Sequence, residues 1–206
     1  MDIVPSLERL LCVWMLTPPD DSREGNVRFN ENPELSTLTT FLRRHLEAGD
    51  RRIRHMRAYF AERGFEYIPW GDEPPYFHEE RQDYFTTIPE GHLRHTLVFF
   101  DPDVGLTHKS PTKKHLSFDE LADIYDRMDD ESVAVVFQYW VRKRDFWKTR
   151  AVEIASRLKS PVTYVADPSV AFYVIPRSPT RVDPIEQSLH RVASRHPSRT
   201  VGLTGG

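Results

Sequence analysis

An apolar run that stops abruptly at two aspartates, Thr96-Leu-Val-Phe-Phe-Asp-Pro-Asp-Val-Gly-Leu106, constrains the fold of this chain more than any other stretch. A continuous run of β-forming residues is typical of a strand that is covered on both faces. In open α/β sheets, ligands bind where the carboxyl ends of the strands open into a crevice. We therefore expect a buried strand that delivers Asp101 and Asp103 to a binding cleft.

The rest of the chain extends this strand into an α/β pattern. Other apolar runs of strand length alternate with segments of helical periodicity, and Ser117-Phe-Asp-Glu120 resembles a capping box that opens a helix. The turn Asp167-Pro-Ser169 separates two β-forming runs, which predicts an antiparallel hairpin. The order of elements predicts a three-layer Rossmann-like α/β fold, with a mostly parallel sheet and an antiparallel edge hairpin. We expect one domain over residues 1–194 and a flexible tail over residues 195–206.

Composition narrows the class of protein. The 206 residues carry 28 basic and 31 acidic side chains, so the chain as a whole lacks the basic excess that is typical of nucleic-acid-binding proteins. The single cysteine, Cys12, lies in an apolar run and is expected to be a small buried hydrophobe. One cysteine excludes an internal disulfide and a cysteine zinc site, which favours a reducing cytoplasm. No apolar stretch approaches the roughly 18 residues of a membrane span, so we expect no membrane partner.

The two aspartates after the apolar run have alternative interpretations. Pro102 lies between them and holds the turn with its fixed φ, while Gly105 allows a tight exit. Two carboxylates at this spacing could chelate a hard cation such as Mg²⁺ or Mn²⁺. One carboxylate alone could accept hydrogen bonds from an amine, a sugar or water. The third interpretation is that Asp-Pro-Asp is only a capping or turn element.

Polar side chains after the next predicted strand converge on the same crevice. Gln138 and Arg142 follow that strand as Asp101 follows its own. A glutamine amide can read the edge of a base, and an arginine can clamp phosphate or carboxylate with its planar fork. The candidate catalytic residues are therefore Asp101, Asp103, Gln138 and Arg142, and the candidate metal ligands are Asp101 and Asp103.

Two loops and a basic segment supply further candidates. The long polar loop that begins at Thr17 could close over a cofactor, which makes Thr17, Asp20 and Asp21 the candidate cofactor-binding residues. Basic residues are interleaved with aromatic ones over residues 139–150, a pattern that suits phosphate neutralisation and base stacking. We therefore expect a nucleotide or nucleic acid as partner. The candidate substrate-binding residues are His78, Arg81, Lys109, Tyr139 and Trp140.

The segments Phe99–Leu106 and Phe137–Arg142 resemble an uncharacterised bacterial and phage family, whose members carry a strand ending in Asp-Pro-Asp-Asn-Gly and a later Tyr-Gln-His followed by Arg. The likeness extends from Val13 to about Arg142 and implies no particular activity.

More distantly, Asp101 and Pro102 are similar to the start of the Asp-Pro-Pro-Tyr motif of Rossmann-like adenine-N6 methyltransferases, in which the acidic residue holds the target amine. This resemblance implies S-adenosylmethionine as the cofactor. Asp103 and Val104 depart from the motif, so the aromatic residue that stacks on a flipped base is absent from its usual place.

Three function classes remain open. In the first, the chain is a methyltransferase-like enzyme that acts on a nucleotide or nucleic-acid base, and Asp101 orients the acceptor amine. In the second, Asp101 and Asp103 bind Mg²⁺ or Mn²⁺ in a phosphoester- or nucleotide-sugar-handling enzyme, such as a nuclease or glycosyltransferase-like protein. In the third, the chain is a non-catalytic Rossmann-like module that binds nucleic acid or a protein.

Overall fold

A computed structural model describes residues 7–17, 36–47, 53–74, 76–108, 110–141, 143, 145–196 and 198–204. The sequence Asn32-Pro33-Glu34 predicts the start of a helix, and this position lies outside these residues. Four of the candidate site residues also lie outside them, namely Asp20, Asp21, Lys109 and Arg142.

Strands and helices alternate along the described chain, which confirms the α/β class. The strands are β1 (Arg9–Trp14), β2 (Glu66–Trp70), β3 (Thr96–Asp101), β4 (Gly105–Thr107), β5 (His115–Ser117), β6 (Val133–Tyr139), β7 (Val162–Ala166), β8 (Val170–Pro176) and β9 (Thr200–Thr204). The α-helices are α1 (Ser36–Glu47), α2 (Met56–Ala61), α3 (Arg81–Tyr84), α4 (Phe118–Arg127), α5 (Phe146–Leu158) and α6 (Val182–Ser194). Short 3₁₀-helices cover Ile53–His55, Glu90–Leu93 and Pro179–Arg181. None of these described helices has the length and apolar content needed to cross a membrane.

Seven strands form one mixed sheet in the order β2-β1-β3-β6-β8-β7-β9, and β4 and β5 pair separately. The pairs β2–β1, β1–β3 and β3–β6 are parallel, whereas β6–β8, β8–β7 and β7–β9 are antiparallel. The chain passes from β1 to β2 on one side and then to β3 on the other side of β1. The strand order therefore reverses between β1 and β3, and such a switch point opens a crevice at the carboxyl ends of the strands.

The carboxyl half of the sheet differs from the predicted arrangement. The β7–β8 hairpin is antiparallel as expected, and the Asp167 carboxylate accepts hydrogen bonds from the N–H groups of Ser169 (2.7 Å) and Val170 (3.0 Å) in its turn. The hairpin is not at the edge, because β9 pairs with β7. This strand lies in the segment predicted to be a flexible tail. Its pairing brings the antiparallel strand pairs to three, equal to the parallel ones, so the sheet is mixed instead of mostly parallel. A short polar segment with a central glycine gives little strand signal until it has a partner.

Hydrophobic side chains form two clusters on opposite faces of the sheet. Alternate residues of a strand point to opposite faces, and Tyr173 of β8 belongs to the larger cluster whereas Val174 belongs to the smaller one. The larger cluster includes Ile154 of α5, and the smaller includes Ile185 and Leu189 of α6. Each fully buried aliphatic side chain stabilises the fold by about 1.5–3 kcal/mol.

The predicted capping box at the start of α4 is confirmed. The Ser117 hydroxyl accepts a hydrogen bond from the Glu120 N–H (3.1 Å), and the Glu120 carboxylate accepts one from the Ser117 N–H (2.8 Å). The reciprocal pair satisfies two N–H groups that would otherwise lack partners, which fixes where the helix begins.

Candidate functional site

Asp101 is the last residue of β3 and lies at the switch point. Its register partner on β1 is Trp14, so both residues are at the carboxyl ends of the two strands between which the strand order reverses. Buried and half-buried residues alternate along β3, with Phe100 fully buried and Asp101 half-buried. The Asp101 side chain therefore points away from the larger hydrophobic cluster, toward the face of the sheet that is less completely covered.

The electrostatic environment of Asp101 distinguishes it from an ordinary surface carboxylate. Burial, and secondarily the charge of Asp103, raise the pKa of the Asp101 carboxyl group to about 6. Among the described residues, no hydrogen bond or ion pair reaches this side chain. A half-buried carboxylate in a crevice with no fixed partner is available to accept hydrogen bonds from a ligand.

Asp103 has a different environment. It is exposed, and its Oδ2 lies 3.1 Å from the ammonium nitrogen of Lys114. The N–H of Val104 also donates to the Lys114 carbonyl oxygen (2.9 Å), so the turn is tied to the segment before β5. Within the described ranges, no three His, Cys, Asp or Glu side chains are grouped in a way that could hold a metal ion.

The side-chain amide of Gln138 is hydrogen-bonded to backbone groups and is not available to a ligand. It is 1% exposed, its side-chain oxygen accepts from the Leu106 N–H (2.9 Å), and its amide nitrogen donates to the carbonyl oxygens of Val104 (3.1 Å) and Tyr139 (2.9 Å). Gly105 allows this close approach, because at its φ of +131° a Cβ would lie 2.3 Å from the amide nitrogen of Gln138. The predicted base-reading glutamine is therefore a clamp that holds the Asp101 turn against β6.

Tyr139 and Trp140 follow Gln138 and are both exposed, at 49% and 47%. Their backbone is fixed, since the Tyr139 N–H donates to the Val104 carbonyl (3.0 Å) and the Trp140 N–H donates to the Ser169 carbonyl (2.8 Å). The structure thus places these two predicted substrate-binding residues at the carboxyl end of β6, next to the strand that ends in Asp101.

Half-buried aromatic rings continue from Tyr139 across the face of the sheet that carries Asp101. The Phe137 and Tyr139 rings are 4.9 Å apart and edge-on, and Phe172 lies 5.6 Å from Phe137 and 6.3 Å from Phe99. Phe99 lies two residues before Asp101 and therefore on the same face. Asp101 is accordingly bordered by an aromatic surface that remains partly open to solvent.

His78 and Thr17 approach the crevice from the β1 side. The His78 Nδ1 atom lies 3.1 Å from the Leu16 carbonyl oxygen, two residues beyond the end of β1. Because a carbonyl oxygen can only accept, Nδ1 donates this hydrogen bond. Thr17 follows Leu16 and is half-buried.

Arg81 was predicted to bind substrate, but its guanidinium group is engaged within the protein. Its Nε and Nη2 atoms donate to the two carboxylate oxygens of Glu120 (2.7 and 2.6 Å). Further bonds reach the carbonyl oxygens of Thr112 (2.8 Å) and His115 (3.0 Å). The same Glu120 caps α4, so Arg81 joins α3 to the start of α4. Its guanidinium group is therefore not available for a two-pronged contact with phosphate.

The side chains of Cys12, Trp14 and Tyr67 form a cluster on the Asp101 face of the sheet, which the sequence did not predict. The Trp14 indole N–H donates to the Tyr67 hydroxyl (3.0 Å), which in turn contacts the Cys12 thiol. Cys12 is 4% exposed, as predicted, and burial together with the Asp101 charge raises its pKa to about 12. In the sequence, only the apolar and aromatic composition of β1 and β2 hinted at this cluster.

Tyr84 was also missed, and it joins the ends of two strands. Its hydroxyl lies 2.6 Å from the Trp14 carbonyl and 2.9 Å from the Trp70 carbonyl, and the Trp70 indole N–H donates back to the Tyr84 carbonyl (3.0 Å). Asp72, just beyond β2, acts electrostatically on both Tyr84 and Tyr67. The carboxyl ends of β1 and β2 are therefore held together through Tyr84, and the Asp72 carboxylate lies beside them.

A concavity lies at the start of α4, and Asp101 and Trp14 are not among its lining residues. It has a volume of about 330 Å³ and is lined by residues that include His108, Phe118, Asp119 and Arg157. Arg157 and Asp119 pair with each other across 2.9 Å, and the His108 ring stacks on Phe118 at 4.0 Å. Among the residues that the structure describes, none of the predicted site residues lines this cavity.

The described candidates thus divide into two groups. Asp101, Thr17, His78, Tyr139 and Trp140 lie around the carboxyl ends of β1, β3 and β6, whereas Gln138, Arg81 and Asp103 are engaged by other protein groups. Comparison of the chain with protein-family models and with curated proteins gave no match.

Proposed function

We propose that this chain is a cytoplasmic methyltransferase-like enzyme that acts on an amine of a nucleotide or nucleic-acid base, with Asp101 orienting the acceptor. One observation carries the proposal. The Asp101 carboxyl group ends β3 beside the reversal of strand order and has no partner among the described residues. An unengaged acceptor at this point suits an amine-bearing ligand.

We also propose that the sheet is the centre of a three-layer Rossmann-like domain. Four neighbouring strands, β2, β1, β3 and β6, run parallel, and hydrophobic clusters lie on both faces of the sheet. The antiparallel β8 follows directly beside β6, which resembles the hairpin arrangement of a methyltransferase sheet. Fold-level similarity is weaker support than the chemistry of the site.

The Asp101 carboxylate has two roles in this proposal. With a pKa of about 6 it is mainly ionised at neutral pH, so it accepts a hydrogen bond from the acceptor amine and fixes the direction of the nitrogen lone pair. With S-adenosylmethionine bound, the acceptor nitrogen would take its methyl group, the sulfur–carbon bond of the donor would break to leave a thioether, and the nitrogen would lose a proton that the Asp101 carboxylate can accept. Trp14 is the register partner of Asp101, and Phe99 lies two residues before it on the same face, so both side chains border the position of the carboxylate.

The residues at the ends of β1 and β2 fit the methyl donor that the proposal requires. S-adenosylmethionine, when bound, supplies an electrophilic methyl group. Thr17 after β1 offers a hydroxyl and Asp72 after β2 offers a carboxylate, and an acidic side chain in this region suits the hydroxyls of a ribose. Both residues lie at the same edge of the sheet as Asp101, where a donor and an acceptor can meet.

The Asp103–Lys114 ion pair favours this proposal over an enzyme that uses two aspartates to bind Mg²⁺ or Mn²⁺. A hard divalent cation gains most from carboxylates whose charge is not already balanced. Lys114 lies 3.1 Å from Asp103 and would have to be displaced before both aspartates could share a cation.

Ligand-induced shifts in melting temperature and methyl transfer test the proposal together. We expect S-adenosylmethionine to raise the melting temperature of the native chain and of both Asp101→Asn and Asp103→Asn. Transfer of labelled methyl groups to nucleotides or oligonucleotides should be lost in Asp101→Asn and kept in Asp103→Asn. Stabilisation by Mg²⁺ or Mn²⁺ that disappears in both variants would support the metal-dependent class instead, and transfer by Asp101→Asn at the native rate would contradict the assignment of Asp101.

A further inference from the structure

Three consecutive large side chains are exposed where β6 ends. Tyr139, Trp140 and Val141 have exposed fractions of 49%, 47% and 47%. In the described part of the chain the other exposed large hydrophobic residues, Val152 and Leu203, are far apart in sequence from these three and from each other. A run of exposed aromatic surface costs solvation free energy and is typical of a binding site. We call residues 139–141 the platform.

The platform is held rigidly. Its backbone donates hydrogen bonds to Val104 on one side and to Ser169 on the other, at 3.0 and 2.8 Å. The buried amide of Gln138 also donates to the Tyr139 carbonyl, at 2.9 Å. A surface that is already ordered loses little conformational entropy when a ligand binds, so exposed rings on this backbone are prepared for contact.

The platform adjoins the Asp101 crevice. The Tyr139 ring meets the Phe137 ring edge-on at 4.9 Å, and Phe137 in turn packs against Phe172 at 5.6 Å. Phe172 is 6.3 Å from Phe99, which lies two residues before Asp101 on the same face. A ligand on the platform can therefore continue toward Asp101 along a surface of aromatic rings.

The charge near the platform suits a polyanion. Residues 139–150 contain five basic side chains and one acidic side chain, although the whole chain has a formal charge of −3. Lys143 and Lys148 are exposed in this segment. Local positive charge beside exposed rings is the combination that binds single-stranded nucleic acid, since the rings stack on bases and the cations neutralise phosphates.

We propose that the platform binds single-stranded nucleic acid, with Tyr139 and Trp140 stacking on bases and Lys143 and Lys148 neutralising phosphates. The substrate at Asp101 is then a base within a strand, not a free nucleotide. This last step rests on the proposed function, whereas the binding of a strand does not. Bases in a duplex are stacked on one another and reach aromatic side chains only after unpairing, so a single strand binds more tightly than the duplex.

Fluorescence anisotropy with labelled oligonucleotides of about 20 nucleotides tests the inference without any methyl donor. We expect Tyr139→Ala and Trp140→Ala each to weaken binding roughly 5- to 100-fold, because each removes stacking on one base. Trp140→Phe should recover most of the loss. Val152→Ala, which removes an equally exposed side chain from α5, is the matched control and should leave binding unchanged.

The dependence of binding on salt tests the cationic part separately. Each phosphate contact on a single strand contributes about 0.7 to the slope of log K against log salt concentration. Lys143→Gln and Lys148→Gln should each reduce that slope by about this amount, with little change in the preference between sequences. DNA and RNA strands of the same sequence, and the corresponding DNA duplex, show which polymer is preferred.

Each outcome separates this inference from the proposed function. Equal affinity of the native chain and the Tyr139→Ala/Trp140→Ala double variant for a single strand would overturn the inference, and so would equal affinity for strand and duplex. The first result would mean that single strands bind elsewhere on the chain, and the second that the platform does not stack on unpaired bases. Methyl transfer to free nucleotides without strand binding would reject only this inference. Strand binding that depends on the platform, without methyl transfer, would reject only the proposed function.

Discussion

The ammonium nitrogen of Lys114 lies 3.1 Å from Oδ2 of Asp103, so the outer aspartate of the Asp101-Pro102-Asp103 turn is balanced by a cation within the protein. The inner aspartate, Asp101, has no such partner among the described residues, and its pKa is raised to about 6. Two carboxylates that are two residues apart therefore have different environments, and different environments are what give neighbouring carboxylates different roles.

The first prediction concerns the dependence of stability on pH. The folded pKa of Asp101, about 6, exceeds the ordinary value of 3.8, so the unfolded chain releases this proton at lower pH than the folded chain. The free energy of unfolding should therefore fall as pH rises from about 4 to 6, and Asp101→Asn should remove that loss. We expect Asp101→Asn to be about 1–2 kcal/mol more stable than the native chain at pH 7.5 and equal to it at about pH 3.5.

Urea denaturation at the two pH values measures this difference. Asp103→Asn is the control, because it breaks only an exposed ion pair and should cost less than about 1 kcal/mol at pH 7.5. A loss of stability in Asp101→Asn at pH 7.5 would mean that the carboxylate has a stabilising partner.

Patterns confined to one segment predicted the fold well. The capping box at Ser117, the turn at Asp167 and the strand before Asp101 all depend on residues within a few positions of one another. The strand β9 was missed because its stability comes from antiparallel pairing with the distant strand β7, in which Thr200 pairs with Ala166 and Thr204 pairs with Val162. Long-range pairing also decides that the hairpin is internal and that the sheet is mixed.

The position of the candidate site at the end of an apolar run follows from the sequence, but the contacts of several of its side chains do not. Asp101 ends an apolar run, and that signal is local. Gln138 bonds to Val104 and Leu106, and Arg81 to Glu120, across 32 to 39 positions of sequence. A polar residue after a strand has the same sequence pattern whether it faces a ligand or clamps a loop, because only the fold determines which acceptors lie within reach.

The second prediction tests the clamp formed by Gln138. Gln138→Leu leaves the buried N–H of Leu106 without an acceptor and removes one donor each from the carbonyl oxygens of Val104 and Tyr139, so we expect a loss of about 2–4 kcal/mol. Gly105→Ala should also destabilise the fold, because its Cβ would lie 2.3 Å from the Gln138 amide at a φ of +131°. Part of that cost should disappear in a Gln138→Ala background, which a double-mutant cycle measures.

Gly91→Ala is the matched control for Gly105→Ala. A Cβ at Gly91 would have no atom within 4 Å, so this substitution should change the free energy of unfolding by less than about 0.5 kcal/mol. Equal effects at the two glycines would argue against close contact between Gly105 and Gln138.

The third prediction tests whether Arg81 has a structural role or binds substrate. Arg81→Lys replaces a two-pronged contact with Glu120 by a single point charge, and it removes bonds to two backbone carbonyls. We expect a loss of about 1–3 kcal/mol in the absence of any ligand. Arg157→Lys, at the exposed pair with Asp119, should cost less than about 0.5 kcal/mol. An Arg81→Lys variant of native stability with weakened ligand binding would restore the predicted role in substrate binding.

The fourth prediction uses the single cysteine, Cys12, as a probe of solvent access to the side chains packed beneath Asp101. Burial and the Asp101 charge raise the pKa of Cys12 to about 12, and only the thiolate attacks thiol reagents. At pH 8 the native chain should therefore react at least about 1,000-fold more slowly than an exposed cysteine, and denaturant should remove the difference. Labelling kinetics measure both rates, and Ser110→Cys in a Cys12→Ala background supplies the exposed reference.

Tyr67→Phe removes a hydroxyl that contacts the thiol and accepts a hydrogen bond from the Trp14 indole. Faster labelling in this variant would show that the Trp14–Tyr67 contact shields Cys12 from solvent. Rapid labelling of the native chain would instead mean that the carboxyl ends of β1 and β3 open to solvent more readily than the packing around Cys12 implies.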